Sequence, residues 1–385
     1  MVKCSSAVKM AAPPTTNDVL QPRVTSPHSI AVAPERNLDL LRAIAVLLVV
    51  ICHLFGVSER TRRMPLPHEL GNTGVLMFFV HTSLVLMLSI QRMKGFGGMG
   101  LVWAFYVRRV FRIYPLSIVT VGLVFWLRIP EQALAVFKSP SRIEWLANLL
   151  LMQNLARCRS AIAPLWSLPW EVQMYLALPI IFIALNSIRH RARVVALASV
   201  LAALLSVSGW HVIFKLLAFT PCFLGGVLAY VLLRSRAFLC GKLWPAGLLL
   251  LVSGYLILRL WVSPQGDYPA WLMCTILGIA IPQFRDLRAG WLTNTTHCIA
   301  KYSYGVYLAH VPVIWLAFDH FRNLPFLASV LIFVVGAAGL PFAAYHLIEA
   351  PMIAFGRRLS FSQSVSPNAR PTTGAAVIVR KPEGP

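Results

Sequence analysis

The stretch NLDLLRAIAVLLVVICHLFGV, residues 37–57, decides how the chain folds. It is apolar and long enough to cross a bilayer as one helix, yet it contains Arg42 and His53. The eleven steps between them leave these residues about 20° apart around the helix and about 16 Å apart along its axis. Asp39 lies one turn before Arg42 on the same surface. Ionisable residues inside a span predict a functional site, although a helix-end salt bridge and a packed histidine would also explain the pattern.

The composition of the whole chain predicts a polytopic membrane protein. Of the 385 residues, 58% are hydrophobic and 12% are charged, and the mean hydropathy is +0.70, whereas a soluble domain carries about 25% charged residues. The net charge of +22 is expected in loops, where it orients the bundle, and no stretch has the character of a nucleic-acid site. The seven cysteines stand singly without a CxxC pair, so we expect neither a metal site nor a disulfide framework.

Ten apolar stretches predict an all-α fold, a bundle of about ten transmembrane helices. They are residues 38–57, 73–90, 110–126, 168–188, 194–208, 213–233, 243–262, 268–284, 302–321 and 324–348. An eleventh segment, residues 143–155, is short and fits an interfacial or re-entrant helix better. With ten spans and the N-terminus inside, 24 of the 35 Lys and Arg residues fall on the inner side or in the spans' inner ends. The positive-inside rule therefore favours ten spans with both termini cytoplasmic.

The flanking segments differ in composition from the apolar part. Residues 1–36 and 359–385 are polar and contain many Pro, Ser and Thr residues, which predicts disordered cytoplasmic tails. Residues 37–358 are expected to form a single membrane domain without a fixed-period repeat.

Two further polar clusters accompany the first helix. FYVRRVFRIYP, residues 105–115, gathers Arg108, Arg109 and Arg112 on one helical face at the cytoplasmic surface, which suits phosphate groups but also fits an ordinary positive-inside anchor. PLWSLPWEVQMYLALP, residues 164–179, sets Glu171 at the start of a span on the outer side. One interpretation is a shared pocket in which Glu171 orients His53 as a base, and the alternative is a structural pair between two helices.

The ordered set of these stretches, together with FFV, YSYGVYLAHVPV and IEAP, resembles acyltransferase family 3 over roughly residues 36–358. Arg42 and His53 match the family's pattern of an arginine, ten residues and a histidine. Arg109 and Arg112 match its RxxR pattern, and Glu171 matches the glutamate of its WSLxxE stretch. The resemblance implies an integral enzyme of a bacterial cytoplasmic (inner) membrane. It also implies transfer of an acyl group, commonly acetyl, from cytosolic acyl-CoA to hydroxyls of sugars, glycolipids or polysaccharides.

On this resemblance we expect Arg109 and Arg112 to hold the coenzyme A phosphates, with Arg42 and its neighbour Asp39 supporting the donor entrance. His53 is expected to act as general base or as a transient acyl carrier. Glu171 either orients that histidine or contacts the acceptor hydroxyl.

The chain departs from the family pattern around its FF pair. His81, Thr82 and Ser83 replace an SGF-like triplet, and Leu76 and Met77 stand where many members carry an acidic residue. Many members also have an additional hydrolase-like domain, so acceptor binding is expected to use the bundle and its outer loops. Two competing interpretations are a secondary transporter or flippase with a polar pathway, and a non-catalytic membrane sensor. Transporters often have Gly/Pro-broken helices at matching positions of two halves, and the sequence has no such pairing.

Overall fold

The computed structural model of the chain describes residues 35–56, 65–129, 140–207, 218–233, 237–262 and 266–362. Apart from one isolated bridge between Leu239 and Phe284, the regular structure of these ranges is helical, as the sequence predicts. The twelve α-helices of the described ranges are α1 (Glu35–Phe55), α2 (Pro65–Arg92), α3 (Gly98–Leu127), α4 (Arg142–Leu149), α5 (Leu168–Asn186), α6 (Arg191–Val207), α7 (Thr220–Leu232), α8 (Trp244–Ile257), α9 (Tyr268–Ala280), α10 (Trp291–Trp315), α11 (Phe326–Ala344) and α12 (Ala350–Ser362).

Six helical segments of the described part are long and apolar enough to cross a membrane. They are Glu35–Phe55, Pro65–Arg92, Gly98–Leu127, Ala163–Asn186, Gly241–Val262 and Phe326–Ser360. Four other predicted spans correspond to α6, α7, α9 and α10, of which the first three have fewer than 18 residues and the last is more polar. The chain is an integral multi-pass membrane protein. The total of ten spans and the cytoplasmic position of both termini stay predictions.

The segment at residues 143–155 forms only the short helix α4 and then folds back. Its eight residues rise about 12 Å, far less than the roughly 30 Å of a bilayer core. The Asn148 side chain holds the returning chain, because it donates to the Arg159 carbonyl (2.9 Å) and accepts from the Ala161 amide (2.8 Å). The chain then makes the 3₁₀ turn Ala163–Trp166 and enters α5, so this folded segment fixes where α5 begins.

Helix α2 forms the centre of the bundle. Of its most apolar window 78% is buried, the largest share among the candidate spans, as expected of a helix that is apolar on all sides. It packs against α1 and α7 and also contacts α5 and α9. A Cβ at Gly74 would lie 2.4 Å from the Ala45 carbonyl oxygen, and one at Gly226 would lie 2.2 Å from that of Val80. These two glycines therefore permit the close approach of α1 and α7 to α2.

Helices α1 and α10 run side by side in the same direction. Three side-chain pairs connect them in the same order along both helices: Asp39 with His297, Arg42 with Ser303, and His53 with His310. The first and ninth spans of the predicted order would have this relative direction. The pairing also brings the polar residues of the first helix against the YSYGVYLAH stretch of α10.

The helical part is slightly longer than the predicted membrane domain of residues 37–358. Helix α1 begins at Glu35 and α12 ends at Ser362, so residues 35–36 and 359–362 of the predicted tails are helical. The prediction of disorder for residues 1–34 and 363–385 lies outside the described residues.

Candidate functional site

A polar cavity between α1, α2, α3, α5 and α10 contains four of the six predicted site residues. Arg42, Arg109, Arg112 and Glu171 all line it. We call it the arginine cavity. The space between its lining residues, open mouth included, is about 770 Å³. The structure therefore brings residues from three separate motifs together.

Arg112 is neutralised inside the bundle. Its Nη1 donates to Oε2 of Glu349, whose side chain is 1% exposed, and its guanidinium carbon lies 5.8 Å from the centre of the Tyr304 ring. Glu349 belongs to a π-helical turn, Tyr345–Glu349, between α11 and α12. Because a charge buried this deeply needs a partner, the Arg112–Glu349 pair fixes the end of α11 against α3.

Arg109 and Arg42 are bonded differently from Arg112. The buried Nε of Arg109 has no hydrogen-bond partner in the described part of the chain. Nε of Arg42 donates to the Ser303 hydroxyl at 2.6 Å, and that hydroxyl donates in turn to the Ala300 carbonyl at 2.8 Å. A desolvated guanidinium group with an unused donor is suited to an anionic ligand, so Arg109 is the cation of this cavity that is best placed to accept one.

Glu171 faces the arginine cavity from the first turn of α5. The Tyr175 hydroxyl, one turn further along the helix, donates to Oε1 of Glu171. The positive charges of Arg42 and Arg109, which line the same cavity, act on it electrostatically. The carboxylate therefore balances part of the positive charge in the cavity while Tyr175 fixes its orientation.

The departure from the family pattern at HTS lies on the wall of the same cavity. His81 and Thr82 line the arginine cavity, and the Thr82 side chain lies beside the Glu171 carboxylate. Ser83 instead donates its hydroxyl to the Phe79 carbonyl (2.8 Å) within α2. Two of the three residues of the altered triplet, His81 and Thr82, therefore contribute polar groups to the cavity wall, and only Ser83 is used within α2.

Asp39 binds α10 and does not pair with Arg42. Its Oδ2 lies 2.7 Å from Nδ1 of His297, while the Arg42 side chain extends to Ser303. The i, i+3 spacing correctly places both residues on one surface of α1. Each nevertheless finds a closer partner on the neighbouring helix, which a single-helix argument cannot foresee.

His53 lies in a second cavity, which we call the histidine cavity. Its lining includes His53, His68, Asn72, Pro164 and Trp166. The shared pocket of His53 and Glu171 is therefore not observed. Pro164 and Trp166 of the turn that precedes α5 line the cavity of His53, whereas Glu171 lines the cavity of Arg42 and Arg109.

The hydrogen bonds of two histidines determine where the lone pair of His53 lies. Nδ1 of His310 lies 3.0 Å from the Val306 carbonyl, so it carries the proton and leaves Nε2 of the neutral ring as an acceptor. Nδ1 of His53 lies 2.9 Å from the Val49 carbonyl and 3.3 Å from Nε2 of His310, two acceptors for one proton. The lone pair of neutral His53 is then on Nε2, for which the described residues supply no partner.

Val75 and Tyr307 separate the two cavities, since both residues line both of them. The Tyr307 hydroxyl donates to the Pro164 carbonyl (2.6 Å) and accepts from the Ser167 hydroxyl (2.7 Å). The tyrosine ring is 6.0 Å from that of Phe78, measured between ring centres. The wall is thus a buried tyrosine held by two hydrogen bonds to the segment that precedes Glu171.

Several residues of the site were not predicted from the sequence. Ser303, Tyr304 and Tyr307 all come from the YSYGVYLAH stretch, which was noted only as part of a resemblance. Tyr175 follows Glu171 by four residues, a helical spacing that does predict contact. The partner of Arg112 had no comparable local signal, because 237 positions separate it from Glu349.

Comparison with known proteins assigns the chain to a family. The family model described as "Acyltransferase domain", that of acyltransferase family 3, matches residues 35–346. No curated protein and no solved structure matches the chain. The matched region begins with α1 and includes Arg42, His53, Arg109, Arg112 and Glu171. It covers most of the chain, and the chain therefore belongs to acyltransferase family 3.

Proposed function

We propose that this membrane acyltransferase moves an acyl group, most simply acetyl, from cytosolic acyl-CoA to a hydroxyl of a sugar, glycolipid or polysaccharide. The observation that carries the proposal is the pair of adjoining cavities, one rich in arginine and the other lined by a histidine with an available lone pair. A thioester donor with a multiply charged phosphate end requires the first, and deprotonation of a hydroxyl requires the second.

The arginine cavity suits the phosphates of acyl-CoA. Arg109 has a buried donor without a partner, so an anionic group would relieve an unfavourable desolvation. The charge of Arg112 is already matched by Glu349. We therefore assign the main phosphate contact to Arg109 and a supporting contact to Arg42. Asp39 acts indirectly, by holding α10 through His297.

The separation of the two cavities suits a donor with a long arm. Arg42 and His53 are about 16 Å apart along α1, so one small molecule must bridge a considerable length if it uses both. In acyl-CoA the pantetheine arm connects the phosphates to the thioester. The arm would pass between Val75 and Tyr307, so these side chains must move apart before the thioester reaches His53.

His53 supports two chemical routes. As general base, its Nε2 takes the proton of the acceptor hydroxyl while the oxygen attacks the thioester carbon, and the leaving thiolate then receives that proton. As acyl carrier, Nε2 attacks the thioester first, the proton of the acceptor hydroxyl passes to the departing thiolate, and the hydroxyl oxygen takes the acyl group from the imidazole. Both routes need the lone pair on Nε2. We assign Glu171 to the donor side, where it can contact the bound substrate beside Arg109.

The direct test of the proposal is the fate of the acyl group. Membranes that contain the protein, supplied with radiolabelled acetyl-CoA, should transfer label to the glycan or glycolipid fraction, and mass spectrometry should detect an acyl mass shift there. Membranes from cells without the gene are the control. Coupled uptake without modification of the solute would instead indicate a transporter, and the absence of both label and coenzyme A release would indicate a non-catalytic protein.

The location follows from the same proposal. A cytosolic donor requires that the arginine cavity be reached from the cytoplasm, as the predicted topology of ten spans provides. We propose the bacterial cytoplasmic membrane, in agreement with the resemblance of the motifs. To test that orientation, a tag is placed at each terminus of the chain, and its protection from protease is measured in inverted membrane vesicles.

A further inference from the structure

A third cavity lies beside the histidine cavity, next to Trp166. The two share Asn72, Val75 and Trp166, and they enclose about 620 and 490 Å³ respectively. We call these two neighbouring cavities together the Trp166 groove; His53 lines one of them and Asp267 the other. Among the described residues, Val75 and Tyr307 are the ones that it shares with the arginine cavity, so a molecule in the groove would reach His53 from a different cavity than the one that the arginines line.

The Asn72 side chain presents an acceptor to this groove. Its Nδ2 is 3.2 Å from Nδ1 of His68 and 3.3 Å from Oε2 of Glu69. Because a carboxylate can only accept, the amide nitrogen and not the oxygen must face Glu69. The amide nitrogen is thereby turned towards His68 and Glu69, and the carbonyl oxygen of Asn72, which has no partner in the described part of the chain, is left to accept a hydrogen bond from a ligand.

Asp267 presents a second set of acceptors. It occupies the N-cap position of α9, where an aspartate normally binds the backbone amides of the first turn, yet its side chain makes no capping bond. The carboxylate is exposed, lines the groove, and has no side-chain partner in the described part of the chain. An ionised carboxylate accepts hydrogen bonds only.

The one arginine of the groove is already bonded. Nε of Arg259 lies 3.2 Å from Oε1 of Glu69, and its Nη1 donates to the Gly266 carbonyl at 2.6 Å. The Tyr255 hydroxyl donates to the other oxygen of Glu69 at 3.3 Å. The groove therefore offers hydrogen-bond acceptors and a negative charge, a poor match for an anionic ligand.

An aromatic surface accompanies these acceptors. Trp166 lines both parts of the groove, with its ring centre 5.8 Å from that of Phe219. The face of an indole ring is negative, so it attracts the C–H groups on the face of a sugar ring as it attracts the edges of other rings. A ring with several hydroxyl donors and an apolar face matches both properties of the groove.

We propose that the Trp166 groove binds the non-reacting part of an uncharged polyhydroxyl acceptor, with hydroxyls donating to Asn72 and Asp267, a ring against Trp166, and the hydroxyl to be acylated at His53. This inference rests on the proposed function and extends it to acceptor specificity. A sugar carrying carboxylate or phosphate at that end would be repelled by Asp267.

The test uses the purified full chain in lipid nanodiscs with acetyl-CoA as donor. The acceptors are a panel of neutral methyl hexosides and a neutral trisaccharide, the corresponding uronic acids, and choline. We expect acyl transfer to at least one neutral sugar and not to the uronic acids or choline. In Trp166→Ala and Asp267→Leu the KM for that sugar should rise at least tenfold, while the KM for acetyl-CoA changes less than twofold. The matched control is Glu35→Gln, at an exposed acid that lies at the opposite end of α1 from His53.

Each outcome has a definite consequence. Asp267 is exposed, so Asp267→Leu should fold even if the replacement of Trp166 disturbs its turn, and size-exclusion profiles check both variants. An unchanged sugar KM in Asp267→Leu, or a preference for the uronic acids or choline, overturns the groove assignment. Failure of the wild type to use any neutral sugar while it still cleaves acetyl-CoA also overturns it. Failure to bind or cleave acetyl-CoA at all would instead contradict the proposed function.

Discussion

Nε2 of His310 lies 3.3 Å from Nδ1 of His53, and each ring is bonded through Nδ1 to a carbonyl of its own helix, four residues earlier. The two rings meet edge to face, with centres 4.9 Å apart. His310 is fully buried between α1 and α10. Together with the Val49 carbonyl, it therefore holds the proton of His53 on Nδ1 and the lone pair on Nε2, which makes it a positioning residue for His53.

The first prediction concerns His310. Replacement by alanine should lower kcat at least about tenfold, the scale on which orienting a functional histidine matters, and should leave the KM for acetyl-CoA within twofold. Glutamine, which retains an amide oxygen as acceptor, should recover part of the loss. A purely structural role for His310 would lower protein yield and thermal stability in both variants without this difference in kcat.

The second prediction concerns Arg109. Its replacement by alanine should raise the KM for acetyl-CoA about tenfold or more, because hydrogen bonds to charged groups contribute about 1.5–3 kcal/mol. A short acetyl thioester of cysteamine, which has no phosphates, separates phosphate binding from other effects. Arg109→Ala should lose much of the wild-type preference for acetyl-CoA over this thioester. Equal losses on both donors would contradict a phosphate role, and Arg92→Ala, at an exposed arginine of α2, is the control.

The third prediction concerns the buried pair of Arg112 and Glu349. Breaking it with Glu349→Gln leaves an unpaired buried charge, which we expect to cost about 3–5 kcal/mol and to lower the unfolding temperature in detergent. The double variant Arg112→Met, Glu349→Leu should be more stable than that single variant, because both charges are removed. If Glu349→Gln unfolds at the wild-type temperature, the pair does not hold α11 against α3.

The fourth prediction concerns the wall between the cavities. Tyr307→Phe retains the ring and loses two hydrogen bonds, worth about 1 kcal/mol each, so transfer should continue with reduced stability. Tyr307→Ala should open the arginine cavity to the histidine cavity and admit water to the thioester. The ratio of acetyl-CoA hydrolysis to acyl transfer should then rise severalfold, as coenzyme A release compared with product measures. The same ratio in all three proteins would show that Tyr307 does not separate donor from acceptor.

Much of the fold and of the candidate site could be predicted from the sequence. The apolar segments, the shortness of the segment after α3, and the face shared by Arg42 and His53 all follow from local periodicity and length. The RxxR and WSLxxE stretches supplied Arg109 and Glu171 through their resemblance to a family.

The partners of these residues could not be predicted in the same way. Glu171 was expected to meet His53, but the turn at Ala163–Trp166 sets the depth of α5, and that depth depends on how residues 150–162 fold back. The sequence gives no sign that His310 contacts His53, because this contact arises from the parallel packing of α1 and α10. Such relations are set by tertiary contacts between distant segments, for which a single sequence has no periodic signal.

The most direct test of the central claim is acyl transfer by His53→Ala. Purified wild type, His53→Ala and the control His190→Ala, whose histidine is exposed between α5 and α6, are compared in nanodiscs with radiolabelled acetyl-CoA and the glycan acceptor fraction. We predict that His53→Ala binds acetyl-CoA like the wild type and loses at least about 100-fold in transfer rate, the usual contribution of a general base. Transfer by His53→Ala at a rate close to that of His190→Ala would contradict the account.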